Sequence, residues 1–238
     1  MRSIATLLGV KIAVPDFSTL SRRSNGAILR PNPRTDNGAS IQLVVDSTGL
    51  KIFGEGEWLE ETHKTRAKRK SWRKLHLGLD LVSGQIVCSN LTVDDVGDPT
   101  ALPSLLGQTD GLVDLFLADG AYDGEPTVEA LTERLGSAIK VTIPPPKNAV
   151  LSPDASRNPS VRDRHIGEIE ADGRMAWQKS SGYNQRSRIE TQIGRWKAVI
   201  GHKLKARSLE NQNTEAKIGV RILNRMTELG RPKFERTA

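Results

Sequence analysis

Five short apolar segments in the middle of the chain constrain the fold more than any other feature of the sequence. Segments of this length that are rich in Val, Ile and Leu are typical of buried β-strands. Ser83 and Gly84 separate the second and third segments and predict a hairpin, while helical patterns at about 98–107 and 126–135 separate the later segments. This order predicts an α/β domain with a mixed sheet flanked by helices. The five segments are residues 41–45, 75–81, 86–88, 112–118 and 138–143.

Two of the predicted strands end on a carboxylate. Asp46 follows the first strand, and Asp119 follows the fourth. Ligand-binding groups collect at strand ends in open α/β sheets, so both side chains are candidates for a functional site. None of the four histidines has metal-ligand spacing to another, so a zinc site is not expected.

Other acidic residues near these strands are interpreted as structural. Asp80 precedes a turn and is expected in solvent. Asp123 could pass for a metal ligand, but a helix cap is the favoured interpretation. Asp98 with Pro99 is typical of a helix cap followed by proline at the first helical position.

The polar residues of segment 182–200 form a row if the segment is wound as an α-helix. Tyr183, Arg186, Glu190 and Lys197 then share an arc of roughly 60° at about 100° per residue. An adjoining apolar stripe would dock the helix, so the row lies beside the buried face. An ordinary surface pair between Arg186 and Glu190 explains part of the same pattern, and both interpretations stay open.

The 238-residue chain has a net charge of +7, a balance that favours polyanionic partners such as nucleic acid. Seven of the twelve residues 63–74 are Lys or Arg, and a second basic tract covers residues 195–207. Such charges attract DNA by counterion release. Trp72 could stack on a displaced base or anchor the first tract. The residues of that tract predicted to contact DNA are Arg66, Lys68, Arg69, Lys70, Trp72 and Arg73.

Several protein classes are not expected from this sequence. It contains no run of eighteen apolar residues, so no transmembrane helix is predicted. The single cysteine, Cys88, lies in an apolar run and is predicted to be a buried strand thiol, in keeping with a reducing cytoplasm. Walker, dinucleotide-binding and nucleophile-elbow motifs are absent, so no nucleotide cofactor is expected.

The polar row also completes a known signature, Tyr-x2-Arg-x3-Glu-x6-Lys, and in this it resembles the DDE transposases of bacterial insertion sequences, in the insertion-sequence-five group. The signature residues are Tyr183, Arg186, Glu190 and Lys197. Residues 44–51 resemble the family's first-aspartate strand, and residues 118–123 resemble its second-aspartate turn. Residues 54–58 and 72–76 resemble the stretch that follows the first aspartate. Four motifs in the family's order are more specific than any one of them.

The resemblance implies an RNase H-like domain that uses two Mg²⁺ ions, with Mn²⁺ as a substitute. Its metal ligands and catalytic acids would be Asp46, Asp119 and Glu190, with Asp46 bridging both ions and each of the others completing one. Such an enzyme cuts a phosphodiester with water and joins the resulting 3′ hydroxyl to a target strand.

The remaining signature residues would then contact DNA. Arg186 and Lys197 would meet phosphates, and Tyr183 could donate through its hydroxyl, although a half-buried aromatic at a helix start explains Tyr183 equally simply. The implied partners are transposon ends, target DNA and a second copy of the chain in a dimer on DNA.

Three regions are expected along the chain. Residues 1–40, with a short helix at about 4–14, are interpreted as the remnant of an N-terminal helical DNA-binding domain and its linker. Residues 41–230 form the RNase H-like DDE catalytic domain, and residues 231–238 form a tail. Residues 147–180 lack periodicity and are predicted to be a long loop.

The family usually carries a longer N-terminal helical domain, so the chain resembles a shortened form. This motivates a second hypothesis, a catalytically idle DNA-binding regulator that interferes with a full-length transposase. A nuclease on the same fold, which would cut without joining, is a third. A cytoplasmic, nucleoid-associated bacterial protein is expected.

Overall fold

Six β-strands form one mixed sheet in the computed structural model, which describes residues 6–7, 9, 11, 13–24, 40–53 and 72–230. The strands of these residues are β1 (Ile41–Ile52), β2 (Trp72–Asp80), β3 (Ile86–Val93), β4 (Val113–Leu117), β5 (Lys140–Thr142) and β6 (Lys203–Leu204). The sheet order is β3-β2-β1-β4-β5, and β6 also pairs with β1. β2 is antiparallel to both of its neighbours, β1 and β3, whereas β4, β5 and β6 run parallel to the strands they pair with. The predicted α/β architecture with a mixed sheet is confirmed.

Helices cover both faces of this sheet. Because successive side chains on a strand point to opposite faces, β1 contributes to two cores. The helices with described bounds are α1 (Phe17–Ser24), α2 (Asp98–Leu106), α3 (Glu125–Leu135), α4 (Val161–Asp172), α5 (Arg174–Ser180), α6 (Ser187–Val199) and α7 (Leu209–Glu228). Leu43 and Val45 pack with α2 and α3, while Val44 and Leu50 pack with α6 and α7.

β2 and β3 form the predicted hairpin, and Gly84 in its turn has the left-handed φ of 71°. Asp80, at the start of the turn, is 0% exposed, so the prediction that it lies in solvent is wrong. Its carboxylate accepts hydrogen bonds from the backbone N–H groups of Gln42, Val82 and Ser83 and from the Ser83 hydroxyl. These donors stabilise the buried charge and tie the turn to β1.

β1 extends well beyond its predicted end. The strand continues past Asp46 to Ile52, because β2 pairs with it as far as Lys51 and β6 pairs with its last two residues. Asp46 therefore lies within the strand rather than at its end. Residues 47–49 are small and polar, and the prediction stopped short because partners remote in sequence hold them in the sheet.

Residues 147–180 are not a loop throughout, because α4 and α5 occupy their second half. A capping box starts α4: the Ser160 hydroxyl accepts from the Asp163 N–H, and the Asp163 carboxylate accepts from the Ser160 N–H. Gly173, with φ 86°, separates the two helices. The buried apolar residues of the pair are Ile166 and Trp177, which explains why the sequence shows no apolar period there.

The two aspartates predicted to cap helices do not cap them. A glycine precedes each of the two helices. Asp98 is the first residue of α2, and its carboxylate lies 3.1 Å from Lys74 Nζ. Asp123 lies before α3 and accepts hydrogen bonds from Arg162 Nε on both oxygens, at 3.1 and 3.0 Å. In both cases the carboxylate instead pairs with a basic side chain from another element. The local sequence pattern of a helix cap does not reveal such a partner.

Some expectations fall outside the described residues. They include part of the predicted helix at 4–14, the linker, the basic residues 64–70 and the tail at 231–238. Within the described part of the chain, no helix is long and apolar enough to cross a membrane. Cys88 lies on β3 as a buried thiol, as predicted, and burial raises its pKa to about 12.

Candidate active site

Two parallel strands bring Asp46 and Asp119 side by side. β1 and β4 are neighbours in the sheet, and Val44 pairs with Leu117 in their register. Each aspartate lies two residues beyond this pair, so the pleat directs both side chains to the face covered by α6 and α7. Neighbouring strands lie about 4.8 Å apart, a spacing that allows two carboxylates to share a ligand.

Each aspartate is oriented by a backbone N–H group that follows it. The Ser47 N–H donates to Asp46 Oδ1 at 2.8 Å, and the Ala121 N–H donates to Asp119 Oδ1 at 2.9 Å. The second bond caps a 3₁₀ turn, Gly120–Tyr122, that redirects the chain after β4. Each carboxylate is therefore held through its Oδ1 atom by a backbone N–H one or two residues further along the chain.

Glu190 is connected to the same place through Arg186. Arg186 Nη1 donates to Asp46 Oδ2 at 2.8 Å, and Nη2 donates to Glu190 Oε1 at 2.6 Å. The side chains of Arg186 and Asp46 are 19% and 16% exposed, whereas that of Glu190 is 55% exposed. The predicted pair between Arg186 and Glu190 exists, but the same guanidinium also joins α6 to β1. Oxygens of two acids thus converge on one cationic group.

Burial and the neighbouring charges shape the ionisation of Asp46. Burial raises the pKa of Asp46, while the Ser47 N–H and the Arg186 guanidinium oppose this increase. The negative charges of Asp119 and Glu190 raise the pKa of Asp46 further, so the balance lies above its ordinary value. Carboxylates grouped in a partly buried place favour a cation among them.

An aromatic pair supports the start of α6. Tyr183 opens a 3₁₀ segment, Tyr183–Arg186, so the α-helix itself begins at Ser187 and the predicted helical row is only partly correct. The Tyr183 ring centroid lies 5.5 Å from that of Trp177, and 5.9 Å from Arg186 Cζ. Trp177 is 1% exposed. Sequence reasoning missed Trp177, although a tryptophan in an otherwise polar stretch was a signal.

Of the three described residues of the first basic tract, 72–74, two were predicted to contact DNA, Trp72 and Arg73. Trp72 packs over Gly49, where a Cβ atom would lie 3.0 Å from the ring, and Lys51 Nζ lies 5.5 Å from the ring centroid. These contacts favour the anchoring interpretation of Trp72. Arg73 Nε donates to Gln212 Oε1 on α7 at 2.9 Å, so this guanidinium ties β2 to α7.

Among the remaining predicted DNA contacts, the structure describes Lys197. Lys197 is half-buried on α6, about 10 Å along the helix from Glu190. The other residues of the predicted set, Arg66, Lys68, Arg69 and Lys70, lie outside the described residues.

Across the part of the chain that the structure describes, no group of three or more His, Cys, Asp or Glu side chains is arranged to hold a metal ion. Asp46 and Glu190 nevertheless share one cation, the Arg186 guanidinium. The three predicted ligands supply the hard oxygen donors that Mg²⁺ prefers. The donor set therefore fits such an ion chemically, and Arg186 would have to leave its position between those two oxygens for a single ion to bind both.

A second charged cluster lies on the other face of the sheet, behind Asp46. The next residue, Ser47, points to that face and contacts the Asp98 carboxylate with its side chain. Asp98 Oδ1 lies 3.1 Å from Lys74 Nζ and 3.3 Å from Nδ1 of the fully buried His76. The cluster joins α2 to β1 and β2 next to the candidate site, and sequence reasoning missed it.

A mixed sheet of six strands flanked by helices is consistent with the RNase H-like fold. The family model described as "Transposase DDE domain" matches residues 38–225, which include the whole sheet and the three acids. A second model with the same description matches residues 1–55. The chain belongs to the DDE transposase family. Members of this family act on DNA as metal-dependent phosphoryl transfer enzymes and generally use divalent ions.

Proposed function

We propose that the chain catalyses Mg²⁺-dependent cleavage and strand transfer of DNA for an insertion sequence of the insertion-sequence-five group. Asp46, Asp119 and Glu190 would be the metal ligands. One observation carries this proposal: the β1–β4 register puts the two aspartates at matching positions, and Arg186 joins Asp46 to Glu190. The complete four-residue signature at positions 183–197 supports the assignment to this group.

Both proposed reactions are in-line displacements at phosphorus. In cleavage, a water oxygen attacks the phosphorus and the 3′ oxygen leaves and takes up a proton, which gives a 3′ hydroxyl and a 5′ phosphate. In strand transfer, that 3′ hydroxyl attacks a target phosphodiester, loses its proton and displaces the target's own 3′ oxygen. Two divalent ions, Mg²⁺ or Mn²⁺, would supply the positive charge that stabilises the attacking and leaving oxygens.

The basic side chains would bind and orient the DNA. Arg186 and Lys197 would bind phosphates close to the acids, and Tyr183 would donate its hydroxyl to another phosphate. The tract at 63–74 would hold the flanking duplex. Residues 1–40 would contribute to DNA recognition and residues 41–230 would perform the chemistry. Because transposition joins two ends, we propose a dimer on DNA, associated with the bacterial nucleoid in the cytoplasm.

Cleavage and joining assays test this function on duplexes built from the DNA that flanks the coding sequence. We expect the wild-type chain to nick and join them with Mg²⁺ or Mn²⁺ and to stop when EDTA is added. Asp46→Asn, Asp119→Asn and Glu190→Gln should each abolish both activities while DNA binding persists. Asp110→Asn, at an exposed position outside the site, is the matched control and should retain both activities.

Two outcomes would replace the proposal. If the wild-type chain is as inert as the three variants and still binds DNA, the regulator hypothesis is favoured. If it cuts without ever joining, the nuclease hypothesis is favoured. Light scattering of the protein–DNA complex tests the dimer separately.

A further inference from the structure

The Arg186 guanidinium occupies the place where Asp46 and Glu190 could share a metal ion. Its two terminal nitrogens are each committed to a different acid, at 2.8 Å from Asp46 Oδ2 and 2.6 Å from Glu190 Oε1. Mg²⁺ binds its oxygen ligands at about 2.0–2.1 Å. The guanidinium lies between these two oxygens, where a single ion would have to be to contact both, so the two cations compete for that position.

The local backbone allows Arg186 to move while Glu190 stays in place. Arg186 is the last residue of the 3₁₀ segment Tyr183–Arg186, which follows Gly182 with the left-handed φ of 80°. Glu190 lies on α6, which the fully buried Ile189 and Trp196 fix to the sheet. A rotation of the Arg186 side chain, with the 3₁₀ segment held by the contact of Tyr183 with Trp177, therefore leaves the helix undisturbed.

A DNA phosphate is a suitable second acceptor for this guanidinium. The planar fork of arginine matches phosphate oxygens as well as carboxylate oxygens, and it forms two parallel hydrogen bonds with either. At 19% exposure the Arg186 side chain still reaches the surface of the site. The same donors can thus serve the acids at one time and DNA at another.

We propose that Arg186 is an exchangeable cation, which holds Asp46 and Glu190 until a divalent ion takes its place and then binds a DNA phosphate. This inference rests on the proposed metal site. It makes metal and DNA binding cooperative, because DNA that engages Arg186 removes a competitor of the metal. By linkage, each ligand must raise the affinity for the other by the same factor.

Mn²⁺ titration of the full chain, followed by the paramagnetic resonance of free Mn²⁺, tests the exchange without relying on activity. In the absence of DNA we expect Arg186→Gln to bind Mn²⁺ about five- to tenfold more tightly than the wild type, a factor at the low end of typical couplings. With a pre-cleaved duplex present, the wild type should gain affinity for Mn²⁺ and the variant should gain less. Arg186→Lys, which keeps the charge but loses the fork, should lie between them.

In the titration without DNA, Lys197→Gln is the matched control, because it removes one positive charge from α6, the helix that carries Glu190, at a residue that does not bind Asp46. If Lys197→Gln tightens Mn²⁺ binding as much as Arg186→Gln, a general field effect explains the change and the exchange is wrong. Unchanged or weaker Mn²⁺ binding by Arg186→Gln would also overturn it.

Asp46→Asn separates failure of the exchange from failure of the proposed function. If Asp46→Asn weakens Mn²⁺ binding but Arg186→Gln does not strengthen it, the metal site stands and only the exchange is refuted. If Asp46→Asn leaves Mn²⁺ binding unchanged, the metal site is wrong and the exchange fails with it.

Discussion

The Asp98 carboxylate lies between Lys74 and the buried His76, and its contacts stabilise the ionised form of the carboxyl group over the protonated form. Burial would raise the pKa of Asp98, but its contacts with His76, Ser47 and Lys74 outweigh burial and lower the pKa to about 2, from an ordinary value of 3.8. Because the pKa is lower in the folded protein, the ionised carboxylate stabilises the fold. This stabilisation is complete above about pH 4 and is lost as the pH falls towards the folded pKa.

We expect Asp98→Asn to lower the free energy of unfolding by about 1–3 kcal/mol at neutral pH, because an amide no longer attracts the charged Lys74 or the His76 ring as the carboxylate does. The difference from the wild type should shrink below about pH 4, where the wild-type carboxylate itself begins to be protonated. Urea unfolding of both proteins at a series of pH values measures it. Asp95→Asn, at an exposed position, is the control, and a difference that does not change with pH would contradict this account.

At the scale of elements, some helices and strands were predictable from residues within them, whereas others depend on contacts with residues remote in sequence. The β2–β3 hairpin was predictable because alternating leucines and Gly84 lie within it. The second half of β1, after Asp46, was not, since β2 and β6 hold it. The start of α4 had a local signal, the capping pair of Ser160 and Asp163, but few buried apolar residues marked the helix itself.

The candidate site divides in the same way. The two aspartates could be identified from the apolar strands that precede them, because strand patterns are local. The contact between Arg186 and Asp46 joins residues 140 positions apart, and no helical row predicts it. The support from Trp177 on another helix is equally non-local. The sequence thus indicated the candidate side chains of the site but not the contacts that hold them together.

The packing of α6 on α7 gives a prediction at this scale. A Cβ atom at Gly219 of α7 would collide with the buried ring of Trp196 on α6. We expect Gly219→Ala to lower the free energy of unfolding by about 1–3 kcal/mol, because overpacking outweighs the gain in helix propensity. Chemical denaturation measures this loss.

Gly194→Ala provides the matched control, because a Cβ atom at Gly194 of α6 meets nothing within 4 Å. It should raise the free energy of unfolding by about 0.5–1 kcal/mol through helix propensity alone. Equal free energies of unfolding for the two alanine variants would show that the Trp196 ring can shift without any loss of stability.

At the scale of the whole molecule, a basic cleft of about 670 Å³ lies between α1 and α7. Its lining includes the cationic side chains of Arg22, Lys205 and Arg207 and the ring of Phe17, which is 85% exposed. Lys205 follows β6, which pairs with the end of β1. The cleft is therefore linked through β6 to the end of β1, the strand that carries Asp46. Two of its cations, Lys205 and Arg207, belong to the second basic tract.

We expect the combined replacement of Arg22, Lys205 and Arg207 by Gln to weaken DNA binding and to reduce its salt dependence. Removing each cation that neutralises a phosphate should make the slope of log K against log salt shallower by about 0.9. Binding of a duplex labelled with a fluorophore, measured over a range of salt concentrations, gives the slope. A triple Gln variant at three exposed cations outside the cleft, Arg134, Lys147 and Arg157, removes equal charge. If both variants reduce the slope equally, DNA binding depends on the net charge of the protein and the cleft has no specific part in it.

The parallel register of β1 and β4 limits where the chain can gain or lose residues. Deleting a single residue between Ile41 and Val45 would turn Asp46 to the face covered by α2, because the pleat has a period of two. The same holds for a one-residue insertion in β4 before Asp119. Insertions and deletions are therefore tolerated only outside these two strands. In a relative that has gained or lost an odd number of residues within either strand, the two aspartates should no longer lie on the same face of the sheet.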